Sequence, residues 1–363
     1  MTNQISISQF FYIFLLSTGL SNHVIVIPLL IDAAGRDAWI SIIVGYFMSI
    51  PFLFLLLYVN KQFKDLSLFQ WLKENSSLAL SRIMALLIVI FLFITGWITL
   101  KETVTWTHET YLPNTPMLVV GFAILAISIY ISYGKLNVIA ICAGVLLPLV
   151  VIFGIFVAIG TIPDKNYALV TPVLVENGWQ EVMKGSIYVF GSLVEIFFLI
   201  ILQHQIIKKL RSSHLLLLSL FLSILTMGPL LGSLTIFGPT EAGRLRYPAF
   251  LQWRILNIGQ YFNHLDFLSI YQWLSGSFIR LSLILYLITK AFEIKEKKWR
   301  LIIQSTICLF FLLMILVPIS DGQFSLFLQN YFYLGSSIFA VMITVILSLL
   351  IKRSNNRMST YEK

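Results

Sequence analysis

The chain has 363 residues, 58% of them hydrophobic and only 11% charged, with a formal net charge of +9 and a mean hydropathy of +0.89. A soluble domain carries about 25% charged residues, so this chain has too little polar surface to cover itself in water. Its apolar stretches run on for about 20 residues, the length that crosses a bilayer as a helix, rather than alternating in short segments, which excludes a β-barrel.

Ten spans fit the chain in order, at 6–31, 38–59, 81–106, 114–133, 136–160, 183–206, 213–238, 265–291, 299–318 and 331–351. Met1–Phe10 lacks the positive n-region of a signal peptide and no small-residue cleavage site follows, so the first span is expected to be retained. Ser132-Tyr133-Gly134-Lys135 is the whole link between the fourth and fifth spans, which makes them antiparallel neighbours. Cys142 and Cys308 both lie inside apolar runs and suggest neither a disulfide framework nor a metal site. With the N terminus in the cytoplasm, 17 Lys and Arg fall on that side, Lys64, Lys295 and Lys363 among them, against 7 on the other, with Arg280 inside a span. The positive-inside rule then selects cytoplasmic N and C termini and an even number of spans. Topology and attraction to anionic lipid account for the basic excess, without nucleic acid. The predicted fold is an all-α polytopic membrane domain over 1–363, with five-helix halves at 1–160 and 161–351 and a short cytoplasmic tail at 352–363.

The first span is not a monotonous apolar helix. It runs through Ser17-Thr18-Gly19-Leu20-Ser21-Asn22-His23 before Pro28. Either the helix unwinds near Thr18–Asn22, presenting half-helix ends that bind a carboxylate, or it continues and its small residues allow close packing. The sixth span carries Gly185-Ser186-Ile187-Tyr188 and Gly191-Ser192 before Glu195. Helices one and six open the two halves, and glycine-interrupted segments at corresponding places are a sequence pointer to a transporter binding site. Discontinuous helices at both places are therefore expected.

Charges within a span cost roughly 2.5–3.5 kcal/mol on insertion scales, so each needs a reason. Glu195, mid-way along helix six, reads as a coupling or ligand-facing carboxylate, or as a hydrogen-bonded structural acid. Lys101 and Glu102 fall near the outer end of helix three and are expected at the interface. Thr95 and Thr99 share one helical face by their i,i+4 spacing and are candidates for a polar cavity wall. Arg280 is expected to snorkel or to meet another helix. His23 reads as a packing residue, since no second His or Cys stands at ligand spacing. The segment between helices seven and eight mixes Arg244, Arg246, Tyr247, Arg254, Asn263 and Asp266 with Phe250, Leu251 and Trp253. That mixture suits an amphipathic helix, either a lid over an outer vestibule or a helix that only touches lipid. Phe69, Trp71 and Leu72, among charges at 60–81, suggest a cytoplasmic interfacial helix and a partner contact.

The chain resembles the B-type subunits of spore germinant receptors, the GerAB-type endospore germination permeases of the amino acid–polyamine–organocation superfamily. The resemblance spans nearly the whole chain. Its most specific parts are Gly19 to Pro28, the run Tyr247-Pro248, Arg254-Ile255, Leu265-Asp266, Trp273 and Phe278, and the segment Asn166, Pro172, Gly178, Gly185. It implies a LeuT/APC-like fold of two inverted five-helix repeats, with a nutrient pocket beside helices one, three, six and eight. It also implies residence in the inner membrane of a bacterial spore, with A-type and lipoprotein C-type subunits as partners and no cofactor. On this reading Thr18, Gly19, Ser21, Asn22, Tyr188 and Gly191 offer backbone, amide or hydroxyl contacts to a small germinant such as an amino acid. Thr95 and Thr99 supply a polar wall, and Glu195, Arg254 and Asp266 serve coupling or gating. A proton-coupled amino acid permease and a nutrient-gated ion or water conduit need the same pocket and remain alternatives. An enzyme is not expected, because the sequence has no metal-ligand cluster, P-loop or nucleophile elbow.

Overall fold

A computed structural model describes residues 4–63, 66–257, 259, 264–294 and 296–361. Lys64, Lys295 and Lys363 of the charge count and Asn263 of the outer segment lie outside the described residues. Within them the chain is mainly helical, with turns between the helices and a parallel bridge between Ile5 and Ile206. The principal helices are α1 (Ile7–Leu20), α2 (Val26–Ala34), α3 (Ala38–Gln62), α4 (Leu68–Asn75), α5 (Leu78–Thr110), α6 (Met117–Tyr133), α7 (Leu136–Gly160), α8 (Trp179–Leu193), α9 (Leu199–Leu202) and α10 (Ser212–Arg244). They are followed by α11 (Pro248–Ile255), α12 (Leu268–Ala291), α13 (Lys297–Ile315), α14 (Asp321–Phe327) and α15 (Tyr333–Tyr361).

Eight helical stretches among the described residues are long and apolar enough to cross a membrane, and Met117–Tyr133 is a shorter apolar helix. The first stretch, Ile7–Gln62, folds back at Gly35, whose φ of +49° suits a residue without Cβ, so α1–α2 and α3 form two legs. Serine caps start several helices. Ser6 accepts from the Gln9 amide and the Gln9 side chain returns the contact, a capping box that recurs at Ser320 and Gln323. The latter box starts α14 about ten residues ahead of the tenth predicted span. The seventh span also outruns expectation, because α10 continues to Arg244 through a kink at Gly238.

Burial sorts the helices into layers. The apolar stretches of Trp179–Gln205 and Leu265–Ala291 are 89% and 83% buried, whereas those of Leu136–Gly160 and Lys297–Ile315 are 17% and 22% buried. Helices six and eight of the sequence therefore form the centre, and α7 and α13 turn most of their surface outward. Small residues allow the close approaches: a Cβ on Gly191 would lie 2.4 Å from the Tyr333 carbonyl oxygen, so α8 and α15 touch backbone to backbone there.

The interruption expected in the first helix is present in a different form. Ser21–Ile25 is a π turn in which the Val26 amide donates to the Ser21 oxygen. The backbone stays helical, no half-helix end is freed, and the unwound reading is corrected. Unpaired amides at membrane depth would have no water to bond, and one extra residue per turn keeps them paired. In helix six, Val194–Phe198 tightens into a 3-10 turn directly after Gly191-Ser192. The 60–81 segment contains α4, but Leu68, Phe69, Trp71 and Leu72 are buried and Trp71 packs on Phe63 at 5.2 Å. Its apolar face is thus used within the chain.

Candidate functional site

Four helices meet at one guanidinium. Arg280 lies on α12 between Gly276-Ser277 and Ser282, where small side chains leave room for it, and it is 1% exposed. Its Nη1 donates to Glu195 Oε2 at 2.6 Å and its Nη2 to Glu195 Oε1 at 2.5 Å, a bidentate pair with a carboxylate that is itself 1% exposed. Nη1 also donates to the Ser17 carbonyl at 2.8 Å, and Nε to Thr99 Oγ1 at 2.8 Å. The same group therefore ties α12 to α1, to α5 and to the 3-10 turn after α8. The two charges cancel, which is how a charge at this depth is tolerated.

Polar side chains continue around the pair. Thr99 Oγ1 donates to the Thr95 carbonyl at 2.8 Å, and Thr95 Oγ1 to Phe91 at 2.9 Å. One turn further, the Thr103 and Ser277 hydroxyls lie 2.7 Å apart. On the other side the Ser21 hydroxyl stands 3.4 Å from that of Tyr333, whose ring lies 6.0 Å from Tyr188. Ser17 Oγ, Thr18 Oγ1 and both amide atoms of Asn22 are buried and have no hydrogen-bond partner among the described residues. A buried polar group left unpaired costs about 1–3 kcal/mol, so this strip of the first helix does not add to stability through those side-chain atoms.

An aromatic layer lies about two helical turns from Arg280 along α12, roughly 10 Å by the helical rise. Trp106 and Trp273 stack at 4.1 Å with planes 7° apart, and Phe250 and Tyr247 meet them edge-on at 5.6 Å each. Leu20 belongs to the same cluster. The layer is covered by α11, which is held by Gln252 Nε2 donating to the Pro229 carbonyl at 2.8 Å and to Ser233 Oγ at 3.0 Å. Beside it, Arg246 pairs with Glu102 at 2.6 Å, faces Asp321 at 3.7 Å, and lies 5.0 Å over the Tyr247 ring. Burial opposes the Arg246 charge, but Glu102, Tyr247 and Asp321 together outweigh it and the pKa moves up. Burial also raises the Tyr247 hydroxyl and pushes Tyr111 up to about 12, so both tyrosines stay protonated at neutral pH.

The other end is closed by the N terminus. The Ile5 amide donates to the Gln205 carbonyl at 2.8 Å and the Ile207 amide to the Ile5 carbonyl at 3.0 Å. The Tyr286 hydroxyl donates to Gln205 Oε1 at 2.5 Å, and Gln203 Nε2 to the Leu66 carbonyl at 2.7 Å. At this same end, Glu293, Ile294, Glu296, Trp299 and Ile303 line a surface cavity of about 380 Å³.

Of the residues singled out in sequence, Thr99 and Glu195 touch Arg280 directly. Thr18, Ser21 and Asn22 line the adjacent strip, and Gly19 packs against Leu225, whose Cδ2 an added Cβ would approach to 2.9 Å. Tyr188 and Gly191 meet Tyr333, and Thr95 bonds only its own helix among the described residues. Arg254, in the last turn of the covering helix α11, and Asp266 stand apart from the junction, 3.9 Å from each other, with Arg254 51% exposed, which makes theirs a weak contact. His23 Nδ1 donates to the Leu225 carbonyl at 3.2 Å. Glu102, near the outer end of α5, is 2% exposed and pairs through Oε1 with Arg246 of the segment between α10 and α11. Ser17, Ser277, Arg280 and Tyr333 join the site beyond the residues expected from the sequence. One signal was available for Arg280: a lone cation and a lone carboxylate, each at mid-depth in a separate span, are expected to find one another.

The comparisons with known proteins agree on one relationship. The spore permease family model, described as "Spore germination protein", matches residues 4–323. The chain is 39% identical over 344 residues to "Spore germination protein XB" of Bacillus anthracis, covering 94% of this chain and 96% of that protein. It is 25% identical over 275 residues to "Putative spore germination protein YfkT" of Bacillus subtilis (strain 168), covering 74% of each.

Proposed function

Because this chain belongs to the spore germination permease family, we propose that it is the nutrient-sensing membrane subunit of a spore germinant receptor. A small germinant, an amino acid in this reading, binds where α1, α5, α12 and the 3-10 turn of helix six converge. One observation carries the proposal: a charge-neutral but highly polar junction, with Ser17, Thr18 and Asn22 groups beside it that are unpartnered among the described residues, sits among the most buried residues of an apolar helical bundle. Polar groups so placed in membrane proteins mark binding sites or ion pathways.

Ten crossings follow if the two legs of Ile7–Gln62 and the short helix Met117–Tyr133 each span the bilayer. The charge asymmetry then puts both termini in the cytoplasm and the α11 cover on the opposite face. Two inverted five-helix repeats, residence in the spore inner membrane, and A-type and C-type partner subunits complete the proposal. Binding moves a conformational equilibrium only as far as the germinant prefers one state, and the partners read that shift.

The test is saturable binding of labelled amino acids, sugars and nucleosides to the purified full chain in lipid nanodiscs, set beside uptake into proteoliposomes under a proton gradient. A sensor gives saturable binding without accumulation. Concentrative uptake, abolished by Glu195→Gln with binding retained, would make the chain a proton-coupled permease instead.

A further inference from the structure

Resting on the reading of this junction as the germinant site, we infer that the Glu195–Arg280 pair is itself the recognition element. The ligand is a net-neutral zwitterion that exchanges into the pair, its carboxylate taking Arg280 and its ammonium taking Glu195. The argument begins with an asymmetry between the two partners. Arg280 keeps two anchors outside the pair, the Ser17 carbonyl and Thr99 Oγ1, both at 2.8 Å. Among the described residues, every hydrogen bond to the Glu195 carboxylate comes from Arg280. Arg280 is thus fixed in position by α1 and α5, whereas Glu195 has only the guanidinium to release.

Charge balance then selects the ligand. A junction buried from water holds one positive and one negative charge. An incoming anion would satisfy Arg280 and leave Glu195 unpaired, and an incoming cation would do the reverse. An uncompensated charge in such surroundings is strongly unfavourable. A zwitterion replaces one ion pair with two and leaves the site neutral at every stage.

The flanking groups supply the remaining bonds. The ammonium has three donors, and the Ser17 Oγ, Thr18 Oγ1 and Asn22 Oδ1 acceptors are buried and unpartnered among the described residues. Asn22 Nδ2 is a donor for a carboxylate oxygen. Glu195 sits on the 3-10 turn that continues α8, and Gly191 of α8 presses on the Tyr333 backbone of α15. Exchange at the pair therefore acts on the contact between helices six and ten.

The test needs no variant at first. The twenty proteinogenic α-amino acids, their methyl esters and their decarboxylated amines are assayed for binding to the full chain in nanodiscs, with neutral sugars and nucleosides alongside. The expected result is that an amino acid binds while its ester, which is cationic, and its amine bind at least a hundredfold more weakly. Glu195→Gln and Arg280→Gln are each expected to abolish binding. The double variant, neutral again and so protected against misfolding from a lone charge, is expected to fold without binding. An ester or amine that binds as well as the amino acid overturns the exchange and leaves the germinant-site reading intact. So does a sugar that binds equally to the wild type and the double variant. No binding by any probe overturns the germinant-site reading itself, and the exchange with it.

Discussion

At the scale of single residues, the two parts of this site are expected to answer substitution differently. Glu195 and Arg280 stabilise the bundle only together. Removing one leaves the other charge buried, at a cost of about 3–5 kcal/mol, whereas replacing both is far milder. We therefore expect Glu195→Gln and Arg280→Gln each to lower the thermal unfolding temperature of the detergent-solubilised chain markedly. The double variant should recover most of that loss, and strictly additive losses would mean that the two side chains do not interact. Asn22 is expected to behave in the opposite way. Both atoms of its amide are unpartnered among the described residues, so Asn22→Leu removes a burden of about 1–3 kcal/mol. The variant should be at least as thermostable as the parent while binding germinant at least tenfold more weakly. A destabilised Asn22→Leu would show that the amide has a structural partner.

At the scale of elements, the helices were largely legible and their interior details were not. Runs of about twenty apolar residues state their own length, so 136–160 coincides with α7, and most other spans were located to within a few residues. The π turn at Ser21–Ile25 was visible only as a disturbance, because Gly, Ser and Asn weaken a helix in the same way whether it unwinds or widens. Glu195 and Arg280 were each conspicuous in sequence, yet they are 85 positions apart. Which face of a uniformly apolar helix turns inward is not encoded in its periodicity. The contact between helices six and ten can be tested directly. A Cβ at Gly191 meets the Tyr333 backbone at 2.4 Å, whereas Gly335 has nothing within 4 Å. Gly191→Ala should destabilise by about 1–3 kcal/mol through overpacking. Gly335→Ala should be neutral or stabilising by up to about 1 kcal/mol. Equal effects in chemical denaturation would show that the close approach does not constrain the helices.

At the scale of the whole molecule, the polar junction is shut at both ends. The N-terminal segment is bonded to Gln205 and Ile207 on one side, and α11 covers the Trp106–Trp273 stack on the other. Glu102 and Arg246 clasp the covered end, with Glu102 2% exposed. If that clasp holds the cover down, Arg246→Gln should open a route to Ser277, which is fully buried one turn from Arg280. In a background with Cys142→Ser and Cys308→Ser, a membrane-impermeant maleimide should label Ser277→Cys several-fold faster once Arg246→Gln is added. An unchanged rate would assign the clasp a purely structural role. The central claim is that a small germinant occupies the four-helix junction, and the most direct measurement is photo-crosslinking. A diazirine-bearing amino acid, bound to the full chain in nanodiscs and irradiated, should leave its adduct on peptides from Ile7–Ala34, Leu78–Thr110, Trp179–Gln205 or Leu268–Ala291, and excess unlabelled amino acid should suppress it. Adducts confined to the cavity around Glu293 and Trp299, or adducts that unlabelled amino acid does not suppress, would contradict the account.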